Sequence, residues 1–456
     1  NYTLTGGTHN FTVNRRVVGV SGTRLYDATT NAVASDLSTH ANLVGSQTLN
    51  LSGTGTIASK NVGSNKTVSV GTLALADGSN GGLAANYTLT GGTHQLTVNQ
   101  RPLNATLARQ YDGTTASAGS TLSSFNALQG GETLTMTGSG TAASANVANG
   151  ITMSSNGNLA LANGTGAASN YSLNSTVINV TKRVLNSSGS KTYDANTNAL
   201  AGAITLSNLV SGEALNHSGT ATISSANAGS YTISNLSGIS IADGSGGAAS
   251  NYTLTGGTHN FTVNRRVVSV QGSKTYDGNT TISTGNITSV TGTVGSQTLV
   301  ISGGSGTVSA ANVATYSSAA INEGTLTLGN GANGGLASNY TLTGHASSSF
   351  QINQRVLNSS GSRIYDGSTT ASSSDLTLSN LVGSETLTLS GNGTLANANV
   401  ATNKSVTLNT LSIADGSNGG LAANYILAGG THQLSVTQRV LNATGTRLYD
   451  ASTNSN

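Results

Sequence analysis

The sequence predicts an all-β fold: a tandem array of small two-layer β-sandwich modules of about 84 residues, arranged as an elongated rod. A Tyr-Asp dipeptide recurs six times, at intervals of 85, 82, 83, 89 and 84 residues. Short runs alternate apolar with hydroxyl side chains, a period of two that is typical of half-buried strands. Gly, Ser, Thr and Asn between these runs supply the turns. The dipeptides begin at Tyr26, Tyr111, Tyr193, Tyr276, Tyr365 and Tyr449.

This spacing divides the 456 residues into five full modules, each expected to have a core of its own. A β-solenoid is the main rival, but its rungs repeat every 20–30 residues. No Gly/Ser-rich or Pro-rich spacer separates the modules, so we expect a stiff rod on the order of 200 Å long. The expected modules are 15–99, 100–181, 182–264, 265–353 and 354–437, with the end of a preceding repeat at 1–14 and the start of a further one at 438–456.

Within a module the strands follow in a fixed order. An opening segment such as 101–107 leads to the Tyr-Asp turn. A strand is expected over 132–141, where Leu134 and Met136 share the buried face, and another over a segment such as 66–78. In the closing strand the pairs expected on the buried face are Phe11 and Val13, Leu96 and Val98, Ile178 and Val180, Phe261 and Val263, Phe350 and Ile352, and Leu434 and Val436. We expect roughly seven strands per module. Their order stays open between an immunoglobulin-like and a β-grasp-like arrangement.

Composition excludes several classes of function. Charged residues make up 7 % of the chain and the net charge is +3, so no basic face is available for nucleic acid. Cysteine is absent, which excludes disulfides and thiolate chemistry. No apolar run approaches the roughly 20 residues of a spanning helix, so no membrane insertion is expected. Because the opening motif recurs inside a later module, we interpret the sequence as a window of a longer repetitive protein, with any targeting signal outside it.

Comparison of the copies tests the candidate site residues. The turn before each Asn-Tyr dipeptide carries Asp77, Asp243 and Asp415 in three modules but Asn163 and Asn330 in two. Calcium binding usually needs more than one carboxylate, whereas Asn and Asp serve a turn equally well. The acids that precede one strand, Glu132, Glu213 and Glu385, alternate with Gln47 and Gln297, and Gln cannot act as a general acid or base. Histidines at one position, His9, His94, His259 and His432, alternate with Thr176 and Ser348.

Sugar binding in every module is not expected either. Sugars are usually held by aromatic platforms, but the chain has no Trp, and 12 of its 14 Tyr belong to the Tyr-Asp and Asn-Tyr motifs. We therefore predict a protein that is not an enzyme and has no catalytic residues, no bound cofactor and no metal.

One ionic pattern recurs in all six copies. An Arg lies 11 residues before each Asp of the Tyr-Asp dipeptide, and an Arg or Lys lies three before it. This pattern contains 18 of the 33 charged residues. It could form an anion site, but we favour a fixed corner in which Asp accepts turn amides and pairs with the base. The residue after Asp is Gly at 113, 278 and 367 but Ala at 28, 195 and 451, which predicts a type I turn without positive φ. The triplets are Arg16, Arg24 and Asp27; Arg101, Arg109 and Asp112; Arg183, Lys191 and Asp194; Arg266, Lys274 and Asp277; Arg355, Arg363 and Asp366; and Arg439, Arg447 and Asp450.

The motifs at 355–370, 381–391 and 83–101 ("RVLNSSGSRIYDGSTT", "LVGSETLTLSG" and "LAANYTLTGGTHQLTVNQR") resemble the YDG-type repeat domain of large Gram-negative surface adhesins. These adhesins are filamentous-haemagglutinin-like proteins exported by two-partner secretion. The resemblance covers the whole chain, although 170–183 departs from it by lacking the Gly-Gly-Thr-His motif.

The resemblance implies an extracellular protein on the surface of a Gram-negative bacterium. In it the modules would form the stalk of an adhesin or biofilm-matrix protein that projects an adhesive tip. The implied partners are the other repeats of the same longer chain, together with surface receptors or matrix polysaccharide bound through regions outside this window. The alternative is that the modules themselves bind a glycan or protein ligand.

Overall fold

The structure is a computed structural model that describes residues 1–3 and 5–449. Strands and short 3₁₀ turns form all the regular structure of these residues, and no α-helix occurs among them. In this part of the chain, no helix is long and apolar enough to cross a membrane. The fold is therefore all-β, as predicted.

The first module contains ten strands rather than about seven. They are β1 (Arg16–Val17), β2 (Gly19–Leu25), β3 (Asn31–Val33), β4 (Thr39–Ala41), β5 (Leu49–Ser52), β6 (Thr54–Ile57), β7 (Gly63–Ser69), β8 (Ala74–Asp77), β9 (Tyr87–Thr88) and β10 (His94–Asn99). Six of them form one mixed sheet in the order β3-β6-β7-β10-β2-β4. The remaining strands form two small pairs, β5 with β8 and β1 with β9.

The centre of the six-stranded sheet decides between the two strand orders left open by the sequence. The closing strand β10 lies parallel to β2, with His94 opposite Val20 and Asn99 opposite Leu25. Strand β4 runs antiparallel to β2, and β7 antiparallel to β10. A parallel central pair flanked by antiparallel strands agrees with the β-grasp-like order. An immunoglobulin sandwich instead consists of two antiparallel sheets.

The other modules follow this plan, except that the main sheet of the fourth is divided into a four-stranded and a three-stranded sheet. The second has β11 (Arg101–Gln110), β12 (Ala116–Ala118), β13 (Leu122–Phe125), β14 (Leu134–Thr137), β15 (Ser139–Ala142), β16 (Ala148–Ser155), β17 (Ala160–Asn163) and β18 (Tyr171–Thr181). The third has β19 (Arg183–Val184), β20 (Asn186–Thr192), β21 (Asn198–Leu200), β22 (Ile204–Ser207), β23 (Leu215–Ile223), β24 (Gly229–Asn235), β25 (Ile239–Asp243), β26 (Tyr252–Thr253) and β27 (His259–Asn264).

The fourth module has β28 (Arg266–Val267), β29 (Ser269–Thr275), β30 (Thr281–Ser283), β31 (Ile287–Thr291), β32 (Leu299–Gly303), β33 (Ser305–Val308), β34 (Ala314–Ser317), β35 (Ile321–Asn322), β36 (Thr327–Asn330), β37 (Tyr340–Thr341) and β38 (Ser349–Asn353). The fifth has β39 (Arg355–Val356), β40 (Asn358–Ile364), β41 (Thr370–Ser372), β42 (Leu376–Ser379), β43 (Leu387–Ser390), β44 (Asn392–Leu395), β45 (Ala401–Thr407), β46 (Ser412–Asp415), β47 (Tyr425–Ile426) and β48 (His432–Thr437).

The 3₁₀ turns of the described residues are three residues long and recur at two fixed places in each module, except Ser318–Ala320, which occurs in the fourth module alone. They are Ala34–Asp36, Ala84–Asn86, Gly119–Thr121, Ala168–Asn170, Ala201–Ala203, Ala249–Asn251, Thr284–Asn286, Ser318–Ala320, Ala337–Asn339, Ser373–Asp375 and Ala422–Asn424.

Two segments that the sequence predicts as single strands are each divided between sheets. The segment 132–141 breaks at Gly138, whose φ is +81°, so β14 pairs with β17 while β15 joins the main sheet. The segment 66–78 breaks around Gly71, whose φ is +53°. A glycine in the left-handed region redirects the chain from one sheet to another. The alternating sequence pattern does not show this break, because glycine is equally compatible with an extended strand. Within β14 the prediction holds, because Leu134 and Met136 are buried and the threonines are exposed.

The apolar residues of the closing strands lie in the core, as predicted for the five full modules. The pair Leu96 and Val98 is at most 1 % exposed, and its counterparts in the later modules are equally buried. Phe11 and Val13 depart from this prediction and are 90 % and 81 % exposed. The described residues before Arg16 contain no strand, so these two side chains have no sheet against which to pack.

The chain divides into two compact units, and the third module contributes to both. Unit 1 comprises Asn1–Ser187, Thr205–Gly219 and Ile239–His259; unit 2 comprises Ser188–Ile204, Thr220–Gly238 and Asn260–Asn456. Within each unit the buried clusters cross module boundaries. In unit 1 one cluster joins Val18 and Leu96 of the first module to Leu134 and Tyr171 of the second. The expectation that each module has a separate core is therefore wrong, because neighbouring modules share apolar contacts.

Candidate functional site at the module junctions

Each of the five fully described Tyr-Asp dipeptides forms a hydrogen-bonded corner directly after the opening strand of its module. Asp27 Oδ1 accepts the backbone N–H of Thr29 at 2.9 Å, and the guanidinium of Arg24 donates to the same carboxylate. The Arg24 side chain is 7 % exposed and that of Asp27 is 36 % exposed, so the pair is only partly shielded from water. The same ion pair joins Arg109 to Asp112, Lys191 to Asp194, Lys274 to Asp277, and Arg363 to Asp366. The sixth pair involves Asp450, which lies outside the described residues.

The backbone of this corner contradicts the predicted type I turn. The residue after Asp has positive φ in all five described copies, including Ala28 at +64° and Ala195 at +63°. The bond from Asp to the amide two residues ahead fixes the chain at this point, so the turn imposes left-handed geometry on alanine as well as glycine. The presence of alanine after Asp is therefore not evidence for negative φ at this position.

The first Arg of each triplet does not enter the corner. Arg183 donates through Nε to the carbonyl of Asn208 at 2.6 Å and through Nη2 to its Oδ1 at 2.8 Å. Its Nη1 reaches back to the carbonyl of Tyr111 in the preceding module at 3.4 Å. Arg101 and Arg355 make the same backward contact, at 3.2 Å with Tyr26 and at 3.5 Å with Tyr276. The ionic pattern therefore contains two different features: a corner and a contact between modules.

The tyrosine of the corner crosses into the next module. The hydroxyl of Tyr26 donates to Glu132 Oε1 at 2.6 Å, and Tyr171 donates to Glu132 Oε2 at 2.9 Å. The two rings meet edge to face, with centroids 5.2 Å apart and an interplanar angle of 78°. Such edge-to-face aromatic pairs are favourable beyond the area that they bury. One carboxylate thus binds two tyrosines from adjacent modules, and we call this group the tyrosine clamp.

The clamp recurs at each of the four junctions between full modules. Tyr111 and Tyr252 share Glu213, with both oxygen distances at 2.6 Å. Tyr276 and Tyr425 share Glu385, at 2.7 and 2.6 Å. Tyr193 and Tyr340 share Gln297 instead, whose Nε2 donates to Tyr193 at 3.0 Å while its Oε1 accepts from Tyr340. The ring pairs of these three clamps have centroids 5.3 to 5.4 Å apart.

The asparagine of each Asn-Tyr dipeptide forms a second contact across the junction. Asn170 is 1 % exposed; its Oδ1 accepts the N–H of Val62 at 2.9 Å, and its Nδ2 donates to Asn61 Oδ1 at 3.0 Å. Equivalent bonds join Asn251 to Asn146 and Val147, Asn339 to Asn227 and Ala228, and Asn424 to Asn312 and Val313. A buried amide that accepts one N–H and donates once fixes how the two modules meet.

The electrostatics of the clamp favour a carboxylate beside neutral phenols. Burial raises the pKa of Glu132, but hydrogen bonds from Lys60, Tyr26 and Tyr171 outweigh it, and the pKa lies below its ordinary value. Burial and the bond to the carboxylate raise the pKa of Tyr252 to about 12. Lys60 bonds Glu132 at 2.6 Å only in the first clamp, since the later modules carry Ala at its place.

The other candidate residues have structural partners. Asp77 Oδ1 accepts the N–H of Ala84 at 2.8 Å, and Asn163 Oδ1 accepts that of Ala168 at the same distance. Asp and Asn thus make one and the same turn bond, which agrees with the interpretation of this position as a turn. The buried histidines bond a leucine carbonyl through Nε2, as His94 does with Leu89 at 2.8 Å.

The clamp is the feature that the sequence reasoning missed. The sequence predicted that the tyrosine ring packs beneath its own corner, and the Glu-or-Gln position was interpreted as unrelated to it. The available signal was that Tyr, Glu or Gln, and the second Tyr repeat with the same period. Their separations, 106 residues from Tyr26 to Glu132 and 39 from there to Tyr171, hide the contact because the first exceeds one period.

Comparisons with known proteins bear on this repeat. The family model described as the YDG domain matches five consecutive segments: 8–96, 94–178, 180–259, 262–349 and 352–433. A search of curated proteins found no match.

Two solved structures are similar at low scores. The first is the N-terminal eight Ig domains of Down Syndrome Cell Adhesion Molecule, with 9 % identity and a TM-score of 0.14, covering 94 % of this chain and 62 % of that one. The second is Drosophila N-cadherin EC1-4, with 9 % identity and a TM-score of 0.12, covering 75 % of this chain and 100 % of that one. The chain thus spans less than two thirds of the first, and neither similarity carries an argument about function.

Proposed function

The chain belongs to the YDG domain family, and we propose that its modules form the structural stalk of a secreted cell-surface adhesin or biofilm-matrix protein of a Gram-negative bacterium. In this proposal the stalk projects an adhesive tip that lies elsewhere in the protein. The residues of the stalk serve to hold each module firmly against the next, and the stalk has no catalytic centre, cofactor or metal.

The observation that carries the proposal is the repetition of the junction. At all four junctions between full modules, a tyrosine clamp and a buried asparagine bridge the boundary. The closing strand of one module and the opening strand of the next are separated by a single residue, as between Asn99 and Arg101. Hydrogen bonds repeated at the module boundaries, rather than in a cleft of each module, are what a spacer needs.

A second feature supports a spacer rather than an array of ligand sites. The recurring polar side chains at the four junctions between full modules are bonded within the protein. The Tyr hydroxyls and the Asn amides there each have a partner in the junction, and the five described corner carboxylates have partners in the turn. A repeated ligand site would need recurring polar groups that are free to bind a ligand.

The proposal is tested by removing one period, residues 182–264, from the adhesin. A spacer predicts that the shortened protein binds its purified receptor with unchanged affinity while holding the cell at a shorter distance, measured by electron microscopy. Loss of receptor binding at equal expression would contradict it. The five-module chain alone should also bind nothing on a panel of glycans and surface proteins; a ligand shared by several excised modules would favour the alternative of repeated binding modules.

A further inference from the structure

The fourth module contains an open polar cleft of about 480 Å³. The cleft lies beside β36 and β37, between the turn at 322–324 and the turn at 342–344. Arg265, Glu323, Ser338, Thr341 and Thr343 supply its polar lining. Its size is within the range of small-molecule sites, which run from about 300 to 1,000 Å³.

Arg265 provides an unpaired cation at this cleft. Equivalent positions carry Gln100 and Gln354, and these side chains bond backbone carbonyls of their own modules: Gln100 at Ser169, and Gln354 at Ala423 and Tyr425. In the fourth module the matching backbone, around Ser338 and Tyr340, lines the cleft instead. Arg265 is exposed, and within the described part of the chain its guanidinium has no hydrogen bond or ion pair. It is therefore free to bind an anion.

Glu323 is the second substitution that makes the cleft polar. The N–H of Leu326 bonds the carbonyl of Glu323, as that of Leu73 bonds Val70 and that of Leu411 bonds Leu408. Val70 and Leu408 pack against the hydrophobic clusters of their modules. A carboxylate at this position gives the fourth module hydrogen-bond acceptors where the first and fifth have only apolar side chains.

His345 holds this carboxylate in place. Its Nε2 lies 2.8 Å from Glu323 Oε1, and the two side chains are 6 % and 25 % exposed. The matching residues are Gly92 and Gly430, where a Cβ would lie 2.3 Å from the carbonyl oxygen of Val18 or 1.9 Å from that of Leu357. The turn of the fourth module has a different sequence, Gly-His-Ala-Ser-Ser-Ser, and accommodates the imidazole. Bonding to His345 occupies one carboxylate oxygen and orients the other.

From this arrangement we propose that the fourth module has a binding site for an acidic saccharide. The Arg265 guanidinium would bind the carboxylate of the sugar acid, for which its planar donors are well matched. Glu323 and the hydroxyls of Ser338, Thr341 and Thr343 would bind the sugar hydroxyls. The positive charge of Arg265 and the negative charge of Glu323, beside several hydroxyl groups, fit a ligand that carries both a carboxylate and many hydroxyl groups. This site belongs to one module and is compatible with the stalk function of the others.

The test measures binding of trigalacturonic acid and of its neutral methyl ester to the whole chain, by NMR titration up to about 10 mM ligand. The acid should bind at least ~10-fold more tightly than the ester, because only the acid can form a charge-assisted bond with the Arg265 guanidinium. In Arg265→Gln, which introduces the residue of the second and fifth modules, this preference should fall to about 1-fold. Glu323→Gln should instead weaken acid and ester alike.

Arg15→Gln is the matched control, because Arg15 begins the first module as Arg265 begins the fourth, and it does not line the cleft. It should leave both affinities unchanged. Absence of saturable binding by the acid, or an acid preference that survives in Arg265→Gln, would overturn the site. So would an equal loss in Arg15→Gln, which would indicate binding through surface charge alone. None of these outcomes bears on the spacer function, because the spacer function is tested separately by receptor binding after module deletion.

Discussion

Replacing Glu385 by Ala should weaken the junction between the fourth and fifth modules by about 2–4 kcal/mol. The carboxylate accepts from Tyr276 at 2.7 Å and from Tyr425 at 2.6 Å. A hydrogen bond to a charged group contributes roughly 1.5–3 kcal/mol, and partial exposure of Glu385 with imperfect additivity lowers the sum. Glu385→Gln should lose only about 1 kcal/mol, because Gln297 fills the same place between two tyrosines.

Hydrogen exchange with mass spectrometry is the appropriate assay, since a chain of several modules does not unfold in a single two-state step. In Glu385→Ala the free energy of opening should fall on both sides of the junction, in peptides covering 276–283 and 382–389. Strand β7 of the first module should exchange as before. The reasoning fails if Ala and Gln variants behave alike, or if only the fifth module loses protection, because the clamp would then not couple the two.

Three further predictions concern the junctions and the corner. Asn424→Ala should lower the free energy of opening at its junction by about 1–3 kcal/mol, measured by hydrogen exchange, since the N–H of the residue that it binds would be left unpaired. Ala195→Gly should stabilise its turn by about 0.5–1 kcal/mol and Gly367→Ala should destabilise its turn by a similar amount, in the same assay, because both positions have positive φ and a Cβ at 367 meets no neighbour within 4 Å. Acid should selectively weaken the Glu132 clamp, which hydrogen exchange at that junction would measure. The pKa of Glu132 is lowered in the folded state, so its contribution is complete above its ordinary value of 4.5 and is lost as the pH falls below it, whereas the Gln297 clamp should change little between about pH 6.5 and 3.5.

The sequence predicted the features that depend on local chemistry. Alternation of apolar and hydroxyl residues located strands such as β14, and recurrence of Asp and Asn at one turn identified a structural role that the bonds of Asp77 and Asn163 now explain. The Arg24–Asp27 corner was also predicted, because its members lie three residues apart and a turn brings them together. In each case the partners are close in the chain.

Features that depend on long separations were not predicted. Strand breaks at Gly71 and Gly138 need positive φ, which a glycine permits but does not require. The clamp joins Tyr26 to Glu132 across more than one period, so no spacing rule within a module contains it. The polar cleft of the fourth module depends on Arg265 and Glu323, which lie in segments 58 residues apart and become meaningful only when compared with the same positions in other modules.

The clamp also explains why the Tyr-Asp dipeptide recurs, and this leads to a last prediction about folding. Each tyrosine needs a partner in the following module, so any module that carries the Tyr-Asp dipeptide should fit any following module with Glu or Gln at the clamp. Deleting 182–264 places Tyr111 opposite Gln297 and Tyr340, the same set that Tyr193 now meets. Hydrogen exchange at residues 146–147 and 294–297 of the deleted chain should therefore match that of the natural junction within about 1 kcal/mol. Adding Gln297→Ala to the deletion should reduce this protection as it does in the full chain. If the deletion alone exposes both segments, the junctions are specific to their own neighbours, and the repeated dipeptide does not make the modules interchangeable.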